Sequence, residues 1–179
     1  MMFTNTFSES DIVEAVNQTA AFIKAQREVF LERARPLAEV EQESFKPFFS
    51  EAILKTTRFV RKTDGPIETP DFLKAITERG VVYSLDRLEA ITFMDVVLSY
   101  HELEPNVQFH ELVHAVQYQK MGLKQFANKY VRGLLSRGSY EKIPLEVNAR
   151  LLEDAYFKNP TQPFSVEQEV QRWINENKF

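Results

Sequence analysis

The sequence predicts an α+β fold that is mostly helical and contains a small β-sheet. Three observations lead to this prediction. Apolar residues recur at helical spacing in several long segments, and two shorter segments have the β-branched and aromatic composition of strands. Proline and glycine stand between these segments, where elements end and turns begin.

The first predicted helix runs from Asp11 to Arg35. Ser10 or Asp11 supplies its N-cap, and Pro36 ends it because proline has no backbone N–H to donate within a helix. Apolar residues recur at helical spacing along this segment: Ile12, Val16, Ala20, Ile23 and Phe30.

The next segments alternate between helix and strand. A shorter helix is predicted over residues 39–50, with a break near Pro47. Residues 54–61 are rich in β-branched and aromatic side chains and predict a strand. Pro70 begins a further short helix, which Gly80 closes.

The C-terminal half contains a second predicted strand and four helices. The strand covers Ala90–Leu98, and a loop over residues 101–106 follows it. Gly122 stops the first of the four helices, and Gly138 and two later prolines separate the others. The predicted helices are Val107–Lys120, Lys124–Arg137, Pro144–Phe157 and Ser165–Asn177.

The length and composition are those of one folded domain. The chain has 179 residues and a mass of 20.9 kDa, enough to bury a substantial core. Hydrophobic residues make up 44% of it, which excludes disorder for most of the chain. The 22 lysines and arginines and 26 aspartates and glutamates give a net charge of -4, with no long block of either sign. We therefore expect no nucleic-acid partner.

The sequence holds no membrane-span signal, no secretion signal and no cysteine. Its most apolar stretch, Ala90–Leu98, contains Asp95 and is too short to cross a bilayer. The segment Met1–Ser10 has neither a basic stretch nor an apolar run, so we expect a cytoplasmic location. Because cysteine is absent, any metal must be held by histidine, aspartate or glutamate.

One motif carries chemistry: His110-Glu111-Leu112-Val113-His114, an HExxH sequence on a predicted helix. At about 3.6 residues per turn, residues four apart lie one above the other, so both imidazoles project from one face and can chelate a divalent ion. Glu111 lies about 100° around the helix from His110, where it can reach a water on the metal without binding the metal itself. The alternative is a helix that carries two histidines by chance.

A catalytic zinc ion usually takes three protein ligands, so a third must come from elsewhere. Glu146 is the leading candidate, since it lies 32 residues after His114 and opens the helix that starts at Pro144. A glutamate in a first turn also stabilises the helix dipole, so spacing alone leaves its role open. Other acidic residues are competing candidates on spacing: Asp71, Asp86, Asp95, Glu141, Glu153 and Asp154.

A longer pattern surrounds the motif. It comprises Ala90-Ile91-Thr92-Phe93 with Asp95-Val96-Val97, then residues 109–118, Gly122, Tyr130-Val131-Arg132, and residues 140–146 with Ala149. This pattern covers about a third of the chain and resembles the gluzincins, the zincin metallopeptidases with a glutamate ligand. It is most similar to a group of small bacterial zincin-like proteins. One position departs, because gluzincins commonly carry asparagine directly before the ligand glutamate and this chain has Leu145 there.

The resemblance implies a zincin-like domain whose Zn²⁺ is held by His110, His114 and Glu146. It implies that Glu111 is the general base on the active-site helix. It also implies that the strand at Ala90–Leu98 forms an edge above this helix, where a peptide or protein substrate lies in extended form.

A second donor usually stabilises the negative charge that develops on the attacked oxygen. Tyr140 is the first candidate for this catalytic role because it stands just ahead of the third-ligand helix. His101 and Tyr100 are the next candidates. Each has a structural alternative, since Tyr140 can simply pack on a helix end and His101 can be an ordinary loop histidine.

We therefore expect a single domain over residues 1–179, with a helical region over about 1–50, a metal-binding core over about 54–157 and a C-terminal helix over about 165–178. The leading functional hypothesis is a zinc-dependent hydrolase, a small metallopeptidase. The first alternative is a catalytically inactive zincin-like protein that acts as a binding or structural module. The second is a helical interaction module that dimerises through its first helix and the helix that contains Trp173.

Overall fold

The computed structural model describes residues 7–179 and shows a mostly helical α+β fold. The helices are α1 (Glu9–Leu31), α2 (Glu39–Phe45), α3 (Glu51–Thr56), α4 (Asp71–Glu78), α5 (Pro105–Arg137), α6 (Pro144–Lys158) and α7 (Val166–Asn175). The strands are β1 (Arg35–Pro36), β2 (Arg58–Arg61), β3 (Ala90–Phe93) and β4 (Val96–Ser99). Residues 1–6 lie outside the described part. The expectation of no secretion signal in Met1–Ser10 and the start of the predicted helical region over residues 1–50 therefore fall largely or partly outside it. From residue 7 onward, no helix is long and apolar enough to span a membrane.

The four strands form one mixed sheet in the order β1-β2-β4-β3. β2 and β4 are parallel, with Arg58 opposite Val96, whereas the two outer pairs are antiparallel. β3 is an edge strand, and no strand among residues 7–179 pairs with its outer side. Because β3 also packs on α5, this edge lies beside the helix that carries the HExxH motif.

The prediction of a single strand over Ala90–Leu98 is wrong, because these residues form a hairpin. A two-residue turn at Met94 and Asp95 separates β3 from β4. Met94 has a φ of 64°, a positive value that a two-residue hairpin turn needs and that glycine or asparagine usually supplies. Arg27 of α1 holds the turn, with 2.8 Å between its Nη2 and Asp95 Oδ2. The segment contains no glycine or asparagine, and Asp95 is its one turn-forming residue, so its composition favours a strand over a turn.

The bounds of α1 differ from those predicted at both ends. Its N-cap is Ser8, whose Oγ accepts a hydrogen bond from Asp11 N at 3.1 Å, and not Ser10 or Asp11. The helix ends at Leu31, before the predicted end at Arg35, because Arg35 and Pro36 form a strand of the sheet. The two residues of β1 pair with β2, and proline is tolerated there because β1 is a sheet edge.

The strand predicted over residues 54–61 is wrong in its first half. Ser50 Oγ accepts a hydrogen bond from Ile53 N at 3.4 Å and caps α3, so that residues 51–56 are helical. Ile53 and Leu54 are buried in the apolar cluster that covers α5, and this packing overrides strand propensity. Only Arg58–Arg61 forms the strand.

Most of the other helix predictions are confirmed. α2 ends at Phe45, so the chain does leave the helix near Pro47. α4 starts directly after Pro70, and Gly80 follows it with a φ of 91°. α6 and α7 lie within a few residues of their predicted bounds.

α5 is the central element of the fold. It packs against α1, α3, α6, α7 and β3. One apolar cluster joins its second half to α1 and the sheet, and another joins its first half to α3, α6 and α7. As predicted, Gly122 separates two helical segments: its φ of 73° and ψ of 162° are not helical, and the chain bends there before the second segment runs to Arg137. Only glycine adopts this backbone conformation without steric cost.

α5 and α6 approach each other closely at Gly133. A Cβ atom at this position would lie 2.8 Å from Pro144 Cδ and 3.2 Å from Ile143 Cγ2. Ile143 is fully buried, so it has little room to move away. The absence of a side chain at Gly133 thus sets the position of the first turn of α6.

We expect Gly133→Ala to lower the free energy of unfolding by about 1–2 kcal/mol. Overpacking costs about 1–3 kcal/mol, and about 2–3 kcal/mol is expected here because the closest atom belongs to a rigid proline ring; the better helix propensity of alanine offsets about 1 kcal/mol of that. Urea denaturation measures the change. Gln125→Ala, at an exposed site of the same helix, is the control and should change stability by less than about 0.5 kcal/mol. Equal stability of Gly133→Ala and the wild type would contradict this packing.

Candidate metal centre

α5 places the two motif histidines on one buried face. Their Nε2 atoms are 3.1 Å apart, and the residues are 7% and 5% exposed. Phe109, Leu112 and Val113, which surround them in sequence, are fully buried in the core. Because these neighbours anchor the helix from its other sides, its rotation is fixed and both imidazoles point to the same place.

Glu146, in the first turn of α6, completes the group. Its Oε2 atom lies 3.3 Å from His110 Nε2 and 3.4 Å from His114 Nε2, and the residue is 3% exposed. In the described chain, from residue 7 to its end, no other set of three such side chains brings its ligand atoms within 4.8 Å of one another. The structure therefore places together the three residues that the sequence singles out as metal ligands.

The three ligand atoms have the separations that a tetrahedral ion requires. Metal–ligand bonds of about 2.0–2.1 Å at the tetrahedral angle place ligand atoms about 3.3–3.4 Å apart. The separations found are 3.1, 3.3 and 3.4 Å. Two imidazole nitrogens and one carboxylate oxygen suit zinc and also other divalent transition metals. The residues present thus fit a divalent ion of this class.

Burial and charge act on the pKa values of the three side chains in opposite directions. Burial alone would lower the pKa of His110, but hydrogen bonds to the Glu146 and Glu153 carboxylates raise it to about 10. Burial also disfavours a charge on His114, yet the Glu146 carboxylate raises its pKa. Burial would raise the pKa of Glu146, whereas the two histidines hold it well below its usual range. Without metal, the cluster is therefore held together by protons that a divalent cation can replace.

Glu153 holds His110 from the side away from the ligand atoms. Its Oε2 lies 3.0 Å from His110 Nδ1, and its Oε1 accepts a hydrogen bond from Asn106 Nδ2 at 2.8 Å. A carboxylate in this position fixes the tautomer that leaves Nε2 free for a metal. Glu153 is thus placed as a partner of a ligand and not as the competing third ligand.

Gln117 accepts a hydrogen bond from His114 and orients its ring, as Glu153 does for His110. Its Oε1 lies 2.8 Å from His114 Nδ1, and its Nε2 donates to Leu145 O at 3.0 Å and to Asn148 Oδ1 at 2.9 Å. Gln117 is fully buried, so these bonds have no competition from water. It links the HExxH helix directly to the helix that carries Glu146.

Glu111 lies beside the ligand group without belonging to it. The residue is 5% exposed, and its Oε2 accepts a hydrogen bond from Thr92 Oγ1 at 2.6 Å. Thr92 belongs to the edge strand β3 and also lies 3.2 Å from the backbone oxygen of Glu111. Sequence reasoning missed Thr92, since a threonine in a strand is expected on β-propensity alone.

The candidate donors are placed differently from one another. Tyr140 donates a hydrogen bond to Glu146 Oε2 at 2.8 Å, so its hydroxyl is at the site. Tyr100 instead accepts a hydrogen bond from Ile67 N at 3.2 Å. His101 is exposed and lines a different surface groove. The structure therefore places only Tyr140 at the candidate centre.

The other acidic candidates do not join the group. Asp95 pairs with Arg27 at the hairpin turn, and the remaining ones are exposed on the surface. They are Asp71, Asp86, Glu141 and Asp154.

The candidate centre lies between a surface groove and an internal cavity. The groove has a volume of about 210 Å³, and Arg87 and Arg150 line it together with His110. The cavity has a volume of about 70 Å³ and reaches towards α1 and α4. Glu111 and Tyr140 line both spaces, His110 lines the groove, and His114 and Glu146 line the cavity.

Comparisons of the chain with models of protein families, with curated proteins and with solved structures found no match.

Zinc binding at neutral pH is expected to release at least one proton. The pKa of His110 is about 10 in the metal-free protein, so its imidazole is protonated and must lose a proton before Nε2 can bind a metal. For the same reason, zinc affinity should rise with pH up to about pH 10. Titration calorimetry in two buffers of different ionisation enthalpy counts the released protons. Zinc binding without proton release would contradict the electrostatics of the cluster.

We expect Glu153→Ala to weaken zinc binding about 10- to 100-fold, because His110 loses the acceptor that orients its ring. Asp154→Ala removes the neighbouring carboxylate, which is exposed and does not touch a ligand, and is the matched control. Competition with a fluorescent zinc chelator measures both affinities. The same zinc affinity in the two variants would show that Glu153 has no such role.

Proposed function

We propose that this protein is a zinc-dependent hydrolase, a small metallopeptidase that cleaves peptides in extended form. One observation carries the proposal. Three ligand atoms form a triangle with sides of 3.1, 3.3 and 3.4 Å, and a separate carboxylate, that of Glu111, faces the same space. A site that only holds an ion for structural reasons usually closes all four positions with protein ligands. Here the described chain supplies three, which supports a catalytic site.

Zinc, Glu111 and Thr92 have different roles in the proposed hydrolysis. When bound, zinc supplies Lewis acidity, which brings the pKa of a water to about 7 and polarises a carbonyl. Glu111 accepts the proton of the attacking water and later delivers it to the leaving amine. Thr92 holds one oxygen of this carboxylate, so the other oxygen, Oε1, is the one that takes the proton.

Tyr140 is the proposed second donor. Its hydroxyl lies 2.8 Å from Glu146 Oε2, at the edge of the ligand triangle. Burial strongly raises the pKa of this phenol, so it stays protonated and can donate a hydrogen bond at any physiological pH. In the metal-free protein this hydroxyl donates to Glu146, and it can instead donate to the carbonyl oxygen under attack and stabilise its negative charge if it turns from Glu146 when a substrate binds.

β3 supplies the proposed seat for the substrate backbone. It is one of the two edge strands of the sheet, and its residues Ala90 and Thr92 lie beside Glu111. An extended peptide can add to such an edge through main-chain hydrogen bonds, which position it with little regard to its sequence. The groove at His110 gives this peptide access to the ligands.

We expect Glu111→Gln to keep zinc but to lose peptide hydrolysis by a factor of about 10² to 10⁴, because the proton acceptor is removed and no ligand is touched. His110→Ala should lose both zinc and activity. Elemental analysis measures the zinc, and mass spectrometry of a peptide library measures cleavage.

Glu102→Gln is the control for the same change at an exposed glutamate ahead of α5, and it should retain both properties. Two results would contradict the proposal. One is a zinc-loaded wild type that cleaves no peptide, which favours an inactive binding module. The other is a Glu111→Gln variant as active as the wild type.

A further inference from the structure

The two histidines of the candidate centre are oriented by different kinds of group. The Glu153 carboxylate offers His110 Nδ1 only acceptor atoms. Gln117, beside His114, carries an acceptor at Oε1 and a donor at Nε2, and a half-turn of its amide exchanges the two. If Nε2 faced the ring, His114 Nδ1 would have to accept, and the proton of a neutral imidazole would move to the atom that is needed for the metal. The orientation of the Gln117 amide therefore decides whether His114 can bind an ion.

Two acceptors on α6 fix this amide in one orientation. Leu145 O lies 3.0 Å from Gln117 Nε2, and a backbone carbonyl can only accept a hydrogen bond. Asn148 Oδ1 lies 2.9 Å from the same nitrogen, so both hydrogens of Nε2 are used. Oε1 is left to face His114 Nδ1 at 2.8 Å. A neutral His114 thus carries its proton on Nδ1 and presents the lone pair of Nε2 to the metal position.

Asn148 stands in a place that suits an apolar side chain. It is fully buried, as are its apolar neighbours Leu145 and Ala149 on the same helix. Its Nδ2 has no hydrogen-bond partner among residues 7–179, and a buried donor without a partner destabilises the fold. In the described chain, the one hydrogen bond of this side chain is the bond that Oδ1 accepts from Gln117. What asparagine contributes here, and an apolar side chain would not, is this acceptor.

The acceptor on Asn148 makes the turned amide less favourable. Without it, one hydrogen of Gln117 Nε2 would have no partner in an interior that holds no competing water. With it, an amide turned by a half-turn would set Gln117 Oε1 against two oxygens, Leu145 O and Asn148 Oδ1. The bond from Asn148 therefore adds to the preference that the backbone carbonyl sets.

We propose that Asn148 is a positioning residue of the metal centre, which acts through Gln117 to hold the proton of His114 on Nδ1 and so leaves Nε2 free for zinc. The helix α6 then supplies both the third ligand, Glu146, and the groups that prepare a ligand on α5. The inference rests on the proposed metal centre and not on the hydrolysis of peptides.

The first test compares the zinc affinities of two variants at this position. Asn148→Leu keeps the branched outline of the side chain but has no acceptor, and it should weaken zinc binding about tenfold. Asn148→Asp keeps an oxygen at the same place and should bind zinc like the wild type. Asn159→Leu, at the exposed end of α6, is the matched control and should also bind like the wild type. Competition with a fluorescent zinc chelator measures the affinities.

Melting curves of the metal-free variants separate positioning from a general effect on folding. A buried carboxyl is more costly than an apolar group, so Asn148→Asp should melt below Asn148→Leu although it binds zinc more tightly. Zinc affinities that follow the melting temperatures, with Asn148→Asp the weaker binder, would show a merely structural role and overturn the inference. Equal zinc affinity of Asn148→Leu and the wild type would overturn it as well.

The second test asks whether Asn148 acts through Gln117. Gln117→Met removes the amide with little change in length and should weaken zinc binding about 10- to 100-fold. In this background, Asn148→Leu should cause no further loss, because the amide that Asn148 holds is gone. Losses that add up in the double variant would overturn the route through Gln117.

The outcomes for Asn148 and for the proposed hydrolase are distinguishable. A zinc-loaded wild type that cleaves no peptide, with weak zinc binding in Asn148→Leu and rescue in Asn148→Asp, rejects the hydrolase and supports the positioning role. Peptide cleavage by a protein whose zinc affinity does not depend on Asn148 rejects the positioning role alone. A wild type that binds no zinc rejects both.

Discussion

The arrangement of α5 and α6 depends on one buried carboxylate, that of Glu146. Glu146 is 3% exposed, and an ionised group at such a depth requires compensating charge, which here can come from imidazolium groups or from a cation. The two histidines of α5 are the groups within 3.4 Å that provide it in the metal-free protein. A divalent ion would compensate the same carboxylate and would also release the histidines from like-charge repulsion. This compensation supports the metal site proposed for the three side chains.

The packing around the ligands keeps this carboxylate in place. Gly133 allows α6 to approach α5, and Gln117 then ties the two helices together through Leu145 O. Leu145 is the position that departs from the gluzincin pattern. Its side chain is apolar, but its backbone oxygen accepts the hydrogen bond from Gln117. Thr92 connects the edge of the sheet to Glu111. The sheet, α5 and the helix α6 that carries Glu146 thus meet through side chains that are themselves buried.

Local rules account for the parts of the structure that could be predicted. The spacing of His110 and His114 fixes their common face, because four residues make about one helical turn. The role of Glu146 could not be predicted from spacing alone. Several acidic residues follow the motif, and only the packing of α6 on α5 decides which of them lies beside the two histidines. The turn at Met94 was missed because tertiary contacts, not a glycine, stabilise its positive φ.

Anomalous diffraction at the zinc absorption edge, from crystals of the zinc-loaded protein, tests the central claim most directly. We expect one strong peak about 2.0–2.2 Å from His110 Nε2, His114 Nε2 and a carboxylate oxygen of Glu146, with a fourth position occupied by solvent. No peak between α5 and α6, or a peak whose ligands exclude Glu146, would contradict the account of this site.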